Sequence, residues 1–433
     1  MFLNDSFGIS ENGNLTFGGC DCVSLAEKYN TPLYVMDETA IRRNCRAYKN
    51  ALDKFYGGNA LVIYASKAFS TRCMYKIVQE EGLGVDVVSG GEIYTALSVG
   101  FPADKIYFHG SNKSEDELKY AVENNIGRIM VDNYCELNML DEIAGNKGMR
   151  QKVILRVTPG VDAHTHSFIK TGQIDSKFGV AIDTGEAFDF VKEALSLENI
   201  EVTGLHCHIG SQIFDYEPFA CAAEKMMAFI AELKDKIGFE TKELDLGGGF
   251  GIKYTHRDDP IPYGEFMEKI SLVIKNLAAE KGVALPFIIM EPGRSIVGEA
   301  GITLYTVGCV KQIPGHRKYV SVDGGMGDNP RYALYEAEYE AVSANNPESP
   351  FDDVATIAGK CCESGDIIIK DGRLQKMRKG DIAAVLSTGA YNYSMASNYN
   401  RIPKPAVVMV RNGESRIAVK RETYEDLIRN DVL

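Results

Sequence analysis

The apolar run Ala60-Leu61-Val62-Ile63-Tyr64-Ala65-Ser66 ends in Lys67, which places an amine where a buried strand would meet its loop. Partial desolvation lowers the proton affinity of a lysine toward the neutral amine that can form a Schiff base. The plain alternative is a lysine that snorkels to the surface at a strand end. Further along, Gly247-Gly248-Gly249-Phe250-Gly251 offers bare backbone N–H groups to an anion such as a phosphate, or else is a structural turn. A dinucleotide fold would need such a run after its first strand, which is not where this one lies. In His206-Cys207-His208 the two imidazoles share one face if the segment is a strand. Three readings follow: a metal pair, core histidines, or a ring that stacks on a flat cofactor. With seven histidines in the chain and no ligand spacing elsewhere, no metal is expected.

Glu291 and Arg294, in Glu291-Pro292-Gly293-Arg294, form either a local ion pair or part of a site. Beside an anion loop and a reactive lysine, a carboxylate can keep a pyridine nitrogen protonated and so make the ring an electron sink. Lys67, the glycine loop, a stacking His208 and Glu291 together describe a site for pyridoxal 5'-phosphate.

Eight apolar strands are predicted at 61–64, 84–88, 106–108, 129–131, 153–157, 202–207, 243–246 and 287–290, with a helical stretch between most pairs. That alternation specifies a parallel sheet, and eight strands close a (β/α)8 TIM-type barrel. Lys67, Asp86 to Ser89, His109, His206, His208, the glycine run and Glu291 to Arg294 all follow strands, so all fall on the C-terminal face of the barrel. Ser114-Glu115-Asp116-Glu117 is a capping box, and 217–236 is a long amphipathic helix. The segment 158–180, with Gly160, His164, His166, Gly172 and Gly179, is a long polar loop. Before the barrel, strands are expected near Leu15-Thr16-Phe17 and at Leu33 to Met36, and Asp37 caps a helix to about Phe55. After Glu291 the strands 302–313, 318–323, 354–358, 366–369, 382–386, 406–410 and 416–420, joined by turns, predict an antiparallel β-barrel or sandwich.

A net charge of -13 argues against nucleic acid or anionic membrane as a partner. No 18-residue apolar run is present, and Met1-Phe2-Leu3-Asn4-Asp5 lacks the features of a signal peptide, so a cytoplasmic protein is expected. The ten cysteines have no framework spacing and read as reduced thiols.

Several stretches closely resemble one family. They are Tyr64 to Lys67, Asp175-Ser176-Lys177-Phe178-Gly179, His206 to Gln212, the glycine run, Glu291 to Arg294, Asp323-Gly324-Gly325-Met326, Cys362-Glu363-Ser364-Gly365-Asp366 and Tyr391. Together they resemble the fold-type III pyridoxal-phosphate-dependent decarboxylases and, among them, the diaminopimelate decarboxylase family. The resemblance covers nearly the whole chain. It implies decarboxylation of meso-2,6-diaminopimelate to L-lysine and carbon dioxide, the last step of lysine biosynthesis, by a homodimer with shared sites. It also implies that residues 1–37 join a β domain at 301–433, around a cofactor-binding barrel at 38–300.

By that resemblance Lys67 would carry the cofactor as a Schiff base, His208 would stack on its ring, and Glu291 would pair with the pyridine nitrogen. Ser211, Gly248, Gly249, the backbone of Gly293 and Arg294, and the Tyr391 hydroxyl would hold the phosphate. Arg294, Arg331 and Tyr335 would clamp the distal carboxylate of the substrate, and Tyr391 would also touch the substrate. Glu363, from the neighbouring subunit, would take the distal ammonium, and Cys362 would donate a proton. The family's Arg-Pro-Ala-Leu-Tyr reads Arg331-Tyr332-Ala333-Leu334-Tyr335 here, with both clamping residues kept. Polyamine-type decarboxylases would share the cofactor residues. Racemases of this fold usually place an arginine where Glu291 stands. A degenerate regulatory homologue would be expected to have lost Lys67 or Cys362.

Overall fold

The computed structural model describes residues 3–161 and 177–433. His164, His166, Gly172, Asp175 and Ser176 lie outside the described residues. The chain divides into two compact units: Cys45–Gly251 with Pro260–Gly293, and Met1–Asn44 with Ile252–Asp259 and Arg294–Leu433.

The first unit is the closed parallel barrel. Its strands are Ala60–Ala65, Gly84–Val87, Ile106–Phe108, Arg128–Val131, Gln151–Thr158, Ile200–His206, Glu243–Asp245 and Phe287–Met290. The last pairs with the first in parallel register, Ile289 opposite Leu61, which closes the ring. Each strand is an apolar run because both of its faces are covered. Ile63, Tyr107, Met130, Ile154 and Ile289 form a cluster that packs the barrel's interior, each no more than 3% exposed. The N-terminal ends are pinned by structural charge: Arg128, opening the fourth strand, makes a fork with Glu243, opening the seventh, at 2.6 and 3.0 Å. The predicted capping box forms at Ser114 and Glu117, and the long helix runs Glu217–Ile237.

In the second unit Gly301–Gln312 is the spine of a sheet ordered Ile367–Leu374, Asp353–Ala358, Lys318–Val322, Gly301–Gln312, Leu33–Asp37, Ala406–Arg411, Glu414–Val419. Asp37 then caps the helix Glu38–Tyr56 by accepting the Thr39 and Ala40 N–H groups at 2.8 and 3.2 Å. Leu15, Phe17, Cys20, Cys22, Leu25, Leu33 and Val35 pack with Ile302, Leu304 and Val408, so the N-terminal residues build this unit's core. The sheet is mostly antiparallel, as expected. Two pairings are parallel, Lys318–Val322 with Asp353–Ala358 and Ala406–Arg411 with Leu33–Asp37. Neither pair is joined by a hairpin, and a long connection leaves strand direction free.

Candidate active site

The first barrel strand gives way to a 3-10 turn, Ser66–Ala68, that carries Lys67. Ser66 Oγ lies 2.7 Å from the Asp86 carbonyl and 2.9 Å from Glu92 Oε2, and Glu92 also accepts the Val88 N–H at 2.8 Å. Those contacts brace the turn, while Lys67 itself is exposed, as the surface alternative for a strand-end lysine has it, and not partly desolvated. The turn explains the difference, because its buried residues are Ser66 and Ala68.

Glu291 follows the eighth strand and is 6% exposed. His109 Nε2 stands 2.9 Å from Glu291 Oε1, and His206 Nε2 stands 3.5 Å from the same oxygen. Burial raises the proton affinity of Glu291, but the contacts with His109 and then His206 outweigh it and hold the carboxyl well below the usual range. Burial, then the charge of Glu291, pushes neighbouring Asp245 well above that range. His206 is driven down to about 4 by burial, against the upward pull of Glu291, so it is neutral near pH 7. The cluster assembled here is His109, His206 and Glu291, with a ring nitrogen of each histidine and a carboxylate oxygen lying within 4.8 Å of one another. His206 and His208 do not form the pair that strand spacing suggested, because the strand ends at His206.

His208 lies beyond that end and is half-buried. Its Nδ1 accepts the Gly248 N–H at 3.3 Å, which ties it to the glycine run. Burial, then the charge of Lys67, lowers the His208 imidazole well below its usual range and leaves it neutral. The segment after His208 is laced to the glycine run by Ile213 N–H to Gly249 O and Gly251 N–H to Ile213 O, each 2.9 Å, and Ser211 sits in it. A Cβ on Gly248 would stand 2.0 Å from the Glu291 carbonyl oxygen, and one on Gly249 would stand 2.3 Å from that of Gly210. Only glycine fits, so the backbone is bare at this point.

The other unit holds two buried guanidiniums among tyrosines. Arg294 Nη1 donates to Tyr254 Oη at 2.5 Å, and its guanidinium lies 4.7 Å from the Tyr391 ring centroid. Arg331 Nη1 donates to Tyr339 Oη at 2.7 Å, and its guanidinium lies 4.9 Å from the Tyr254 ring centroid. Burial would raise the Tyr254 phenol, yet Arg294 and then Arg331 outweigh it and lower it. The groups that raise the Arg331 pKa, against burial, are Tyr254, Tyr339 and Tyr391, and among the described residues no carboxylate is paired with it. A buried guanidinium with no paired carboxylate is a strong donor to a carboxylate that enters beside it. Tyr335 ends the short helix Arg331–Tyr335 half-buried, while Arg331 donates to the hydroxyl of Tyr339. Tyr254 and Tyr339 were not legible in the sequence, where each is a single tyrosine outside any motif.

In the same unit Cys362 and Glu363 are exposed on a loop closed by the buried Asp366. Asp366 accepts the Met326 N–H at 2.5 Å and the Cys361 N–H at 2.6 Å, and Asn400 Oδ1 accepts the Cys362 N–H at 2.8 Å. The Cys361 thiol is pushed up to about 11 by burial and then by Asp366. Of the adjacent cysteines, Cys362 is the one presented to solvent.

Residues 38–298 match the model of the pyridoxal binding domain of pyridoxal-dependent decarboxylases. The diaminopimelate decarboxylase of Bacillus subtilis (strain 168) is 52% identical over 432 residues, spanning 100% of this chain and 98% of the relative, and that of Bacillus methanolicus is 53% identical over 98% of each. Among solved structures, the diaminopimelate decarboxylase of M. jannaschii in co-complex with L-lysine superposes with a TM-score of 0.94 at 37% identity, covering 100% of this chain and 99% of that one. The Helicobacter pylori enzyme complexed with L-lysine gives 0.85 at 33%, over 94% and 98%.

Proposed function

The chain belongs to the pyridoxal-dependent decarboxylases, and among them to the diaminopimelate decarboxylases, and from that premise we propose how its own residues decarboxylate meso-diaminopimelate to L-lysine and carbon dioxide. The residues fit pyridoxal 5'-phosphate. Gly248 and Gly249 form a cradle that any Cβ would fill, suited to a phosphate, and Glu291 Oε1 is a buried carboxylate oxygen with no directed hydrogen bond among the described residues, suited to a pyridinium.

Lys67 would hold the cofactor covalently, His208 would stack on its ring, and Glu291 would pair with its nitrogen. Ser211, Gly248, Gly249, the backbone of Gly293 and Arg294, and the Tyr391 hydroxyl would hold the phosphate. When bound, the cofactor supplies an electron sink for the pair left behind as carbon dioxide departs. Arg331 with Tyr335, and Arg294, grip the distal carboxylate, Tyr391 touches the substrate, and Glu363 takes the distal ammonium. Exclusion of water from the scissile carboxylate favours its loss as neutral carbon dioxide. Cys362 then donates its proton to the carbon that lost the carboxylate, so one C–C bond breaks and one C–H bond forms.

We assign Cys362 and Glu363 to the site of a neighbouring subunit. Their exposure on a pinned loop supports a shared-site homodimer. Amino-acid biosynthesis and a charge of -13 fit a cytoplasmic enzyme. No helix among the described residues is long and apolar enough to cross a membrane.

The observation that carries the substrate is Arg331, buried with tyrosines and no paired carboxylate among the described residues. Ornithine and lysine lack a distal carboxylate and would leave it so, a penalty of about 3 kcal/mol. Values of kcat/KM for meso-diaminopimelate should therefore exceed those for ornithine and lysine by at least about a hundredfold. Comparable efficiency on ornithine would move the assignment to the polyamine decarboxylases.

A further inference from the structure

Several titratable groups surround Glu291, which the proposed function pairs with the ring nitrogen. Asp86 comes from the second strand, His109 from just past the third, Arg156 from the fifth, His206 from the end of the sixth with Cys207 just past it, and Asp245 from the seventh. The charge of Lys67 acts on Asp86, lowering its proton affinity against the effect of burial. The arrangement is not symmetrical. His109 Nε2 is 2.9 Å from Glu291 Oε1 but 3.9 Å from Asp86 Oδ1, and His206 Nε2 is 3.5 Å from the same Glu291 oxygen. The rings of His109 and His206 meet edge to face at 5.0 Å. The His109 backbone is fixed by its N–H to Val87 O, 2.7 Å, which continues the ladder between the second and third strands.

His109, His206 and Glu291 are 5%, 1% and 6% exposed, so solvent does little to stabilise the carboxylate. Glu291 Oε1 and the two imidazole nitrogens facing it have no directed hydrogen bond among the described residues. A buried carboxylate is costly to keep charged unless neighbouring groups stabilise it. Of the two imidazoles that face Glu291 Oε1, that of His109 is the nearer, at 2.9 Å against 3.5 Å, and acts most strongly against that cost.

We propose that His109, supported by His206, is a positioning residue for Glu291: it fixes where the carboxylate points and keeps it charged, so that Glu291 can hold a proton on the ring nitrogen it is assigned to. This rests on the reading of Glu291 as the partner of the pyridine nitrogen. With His109 removed, Glu291 takes up a proton more readily and the ring nitrogen loses its anion.

The test uses the cofactor-loaded protein and compares His109→Gln, which is polar and uncharged, with His109→Phe, which fills the space with a ring alone. The readouts are the pH titration of the visible cofactor band, the cofactor Kd, and kcat and KM for meso-diaminopimelate. For His109→Gln the midpoint should fall by about one pH unit and the Kd should rise about tenfold. Its kcat should drop by about thirtyfold while KM stays within about threefold. His109→Phe should be affected more. A His109→Gln protein with an unmoved midpoint and unchanged Kd would overturn the proposal, as would His109→Phe behaving like wild type, which would make the imidazole mere packing. If His109→Phe fails to fold, His109→Gln decides alone. A wild-type protein with no visible band or no decarboxylation would refute the reading of the site. A normal wild type with unmoved variants refutes only the role of His109.

Discussion

Replacing Arg331 with Met separates the clamp's contribution to function from its contribution to the fold. Arg331 is 7% exposed, donates to Tyr339 Oη at 2.7 Å, and stacks 4.9 Å from the Tyr254 centroid. A carboxylate about 4 Å from that guanidinium gains about 4 kcal/mol at the effective dielectric of a partly wet site. Truncating one partner of a desolvated pair costs about 2–5 kcal/mol. A loss near 3 kcal/mol corresponds to a fall of about 150-fold in kcat/KM for meso-diaminopimelate. Lysine has no distal carboxylate, so its much lower efficiency should change by less than about fivefold, and the preference between the two should largely collapse. Without ligand the variant should be at least as stable as wild type, because Met spares the desolvation of a guanidinium that lacks a paired carboxylate among the described residues. Steady-state kinetics on both amino acids, with thermal unfolding of the ligand-free protein, reads all three quantities. An intact preference would refute the clamp. An equal loss on both substrates with a lowered Tm would make Arg331 structural.

Three further outcomes follow from particular residues. His206, held near 4 rather than 6.5 chiefly by burial, must gain a proton on unfolding below pH 6.5. Its contribution to stability is therefore complete above pH 6.5 and lost as the pH falls through about 4, about 3 kcal/mol in all. Urea unfolding of His206→Gln should show a shallower fall across that window, and an unchanged slope would contradict the shift. Gly248→Ala sets a Cβ against the Glu291 carbonyl, which cannot swing aside, so bound cofactor should drop below about a tenth of wild type. Full cofactor content would exclude this loop as the cradle. Inactive Lys67→Ala and inactive Cys362→Ala chains, mixed after unfolding and refolded together, should regain part of the activity through heterodimers with one intact site. No recovery in proven heterodimers would put both residues in one chain's site.

The barrel was legible because each strand is an apolar run bounded by polar ends, and because the unusual residues all follow strands. Lengths were less so. The fifth strand runs Gln151–Thr158 rather than 153–157, since Gln151 and Lys152 are recruited by the ladder to Ile200–His206 and Thr158 by its pairing with Ala181. The strand Ala341–Ser343 is too short for periodicity to show, and exists through pairing with Ile382–Val385. Direction in the β unit was hidden where no hairpin sets it, as for Ala406–Arg411 beside Leu33–Asp37.

Within the site, the motif residues were visible and His109 and His206 were placed on the C-terminal face by their strands, but their contacts with Glu291 were not. His109 and His206 meet only because the barrel closes, and nothing in sequence pairs two histidines from different strands. Tyr254 and Tyr339 stand 5.4 Å apart across separate segments, so the tyrosine environment of Arg331 exists only in the fold. Adjacent Cys361 and Cys362 look alike in sequence, and only burial beside Asp366 tells them apart.

The most direct measurement is the reaction of meso-diaminopimelate with the purified protein in D2O, followed by mass and NMR analysis of the products. L-lysine should form in equal amount with carbon dioxide, with one deuterium on the carbon that lost its carboxylate, and Lys67→Ala should form none. Diaminopimelate that is only racemised, or left unchanged by a protein with its full complement of cofactor, would contradict the account.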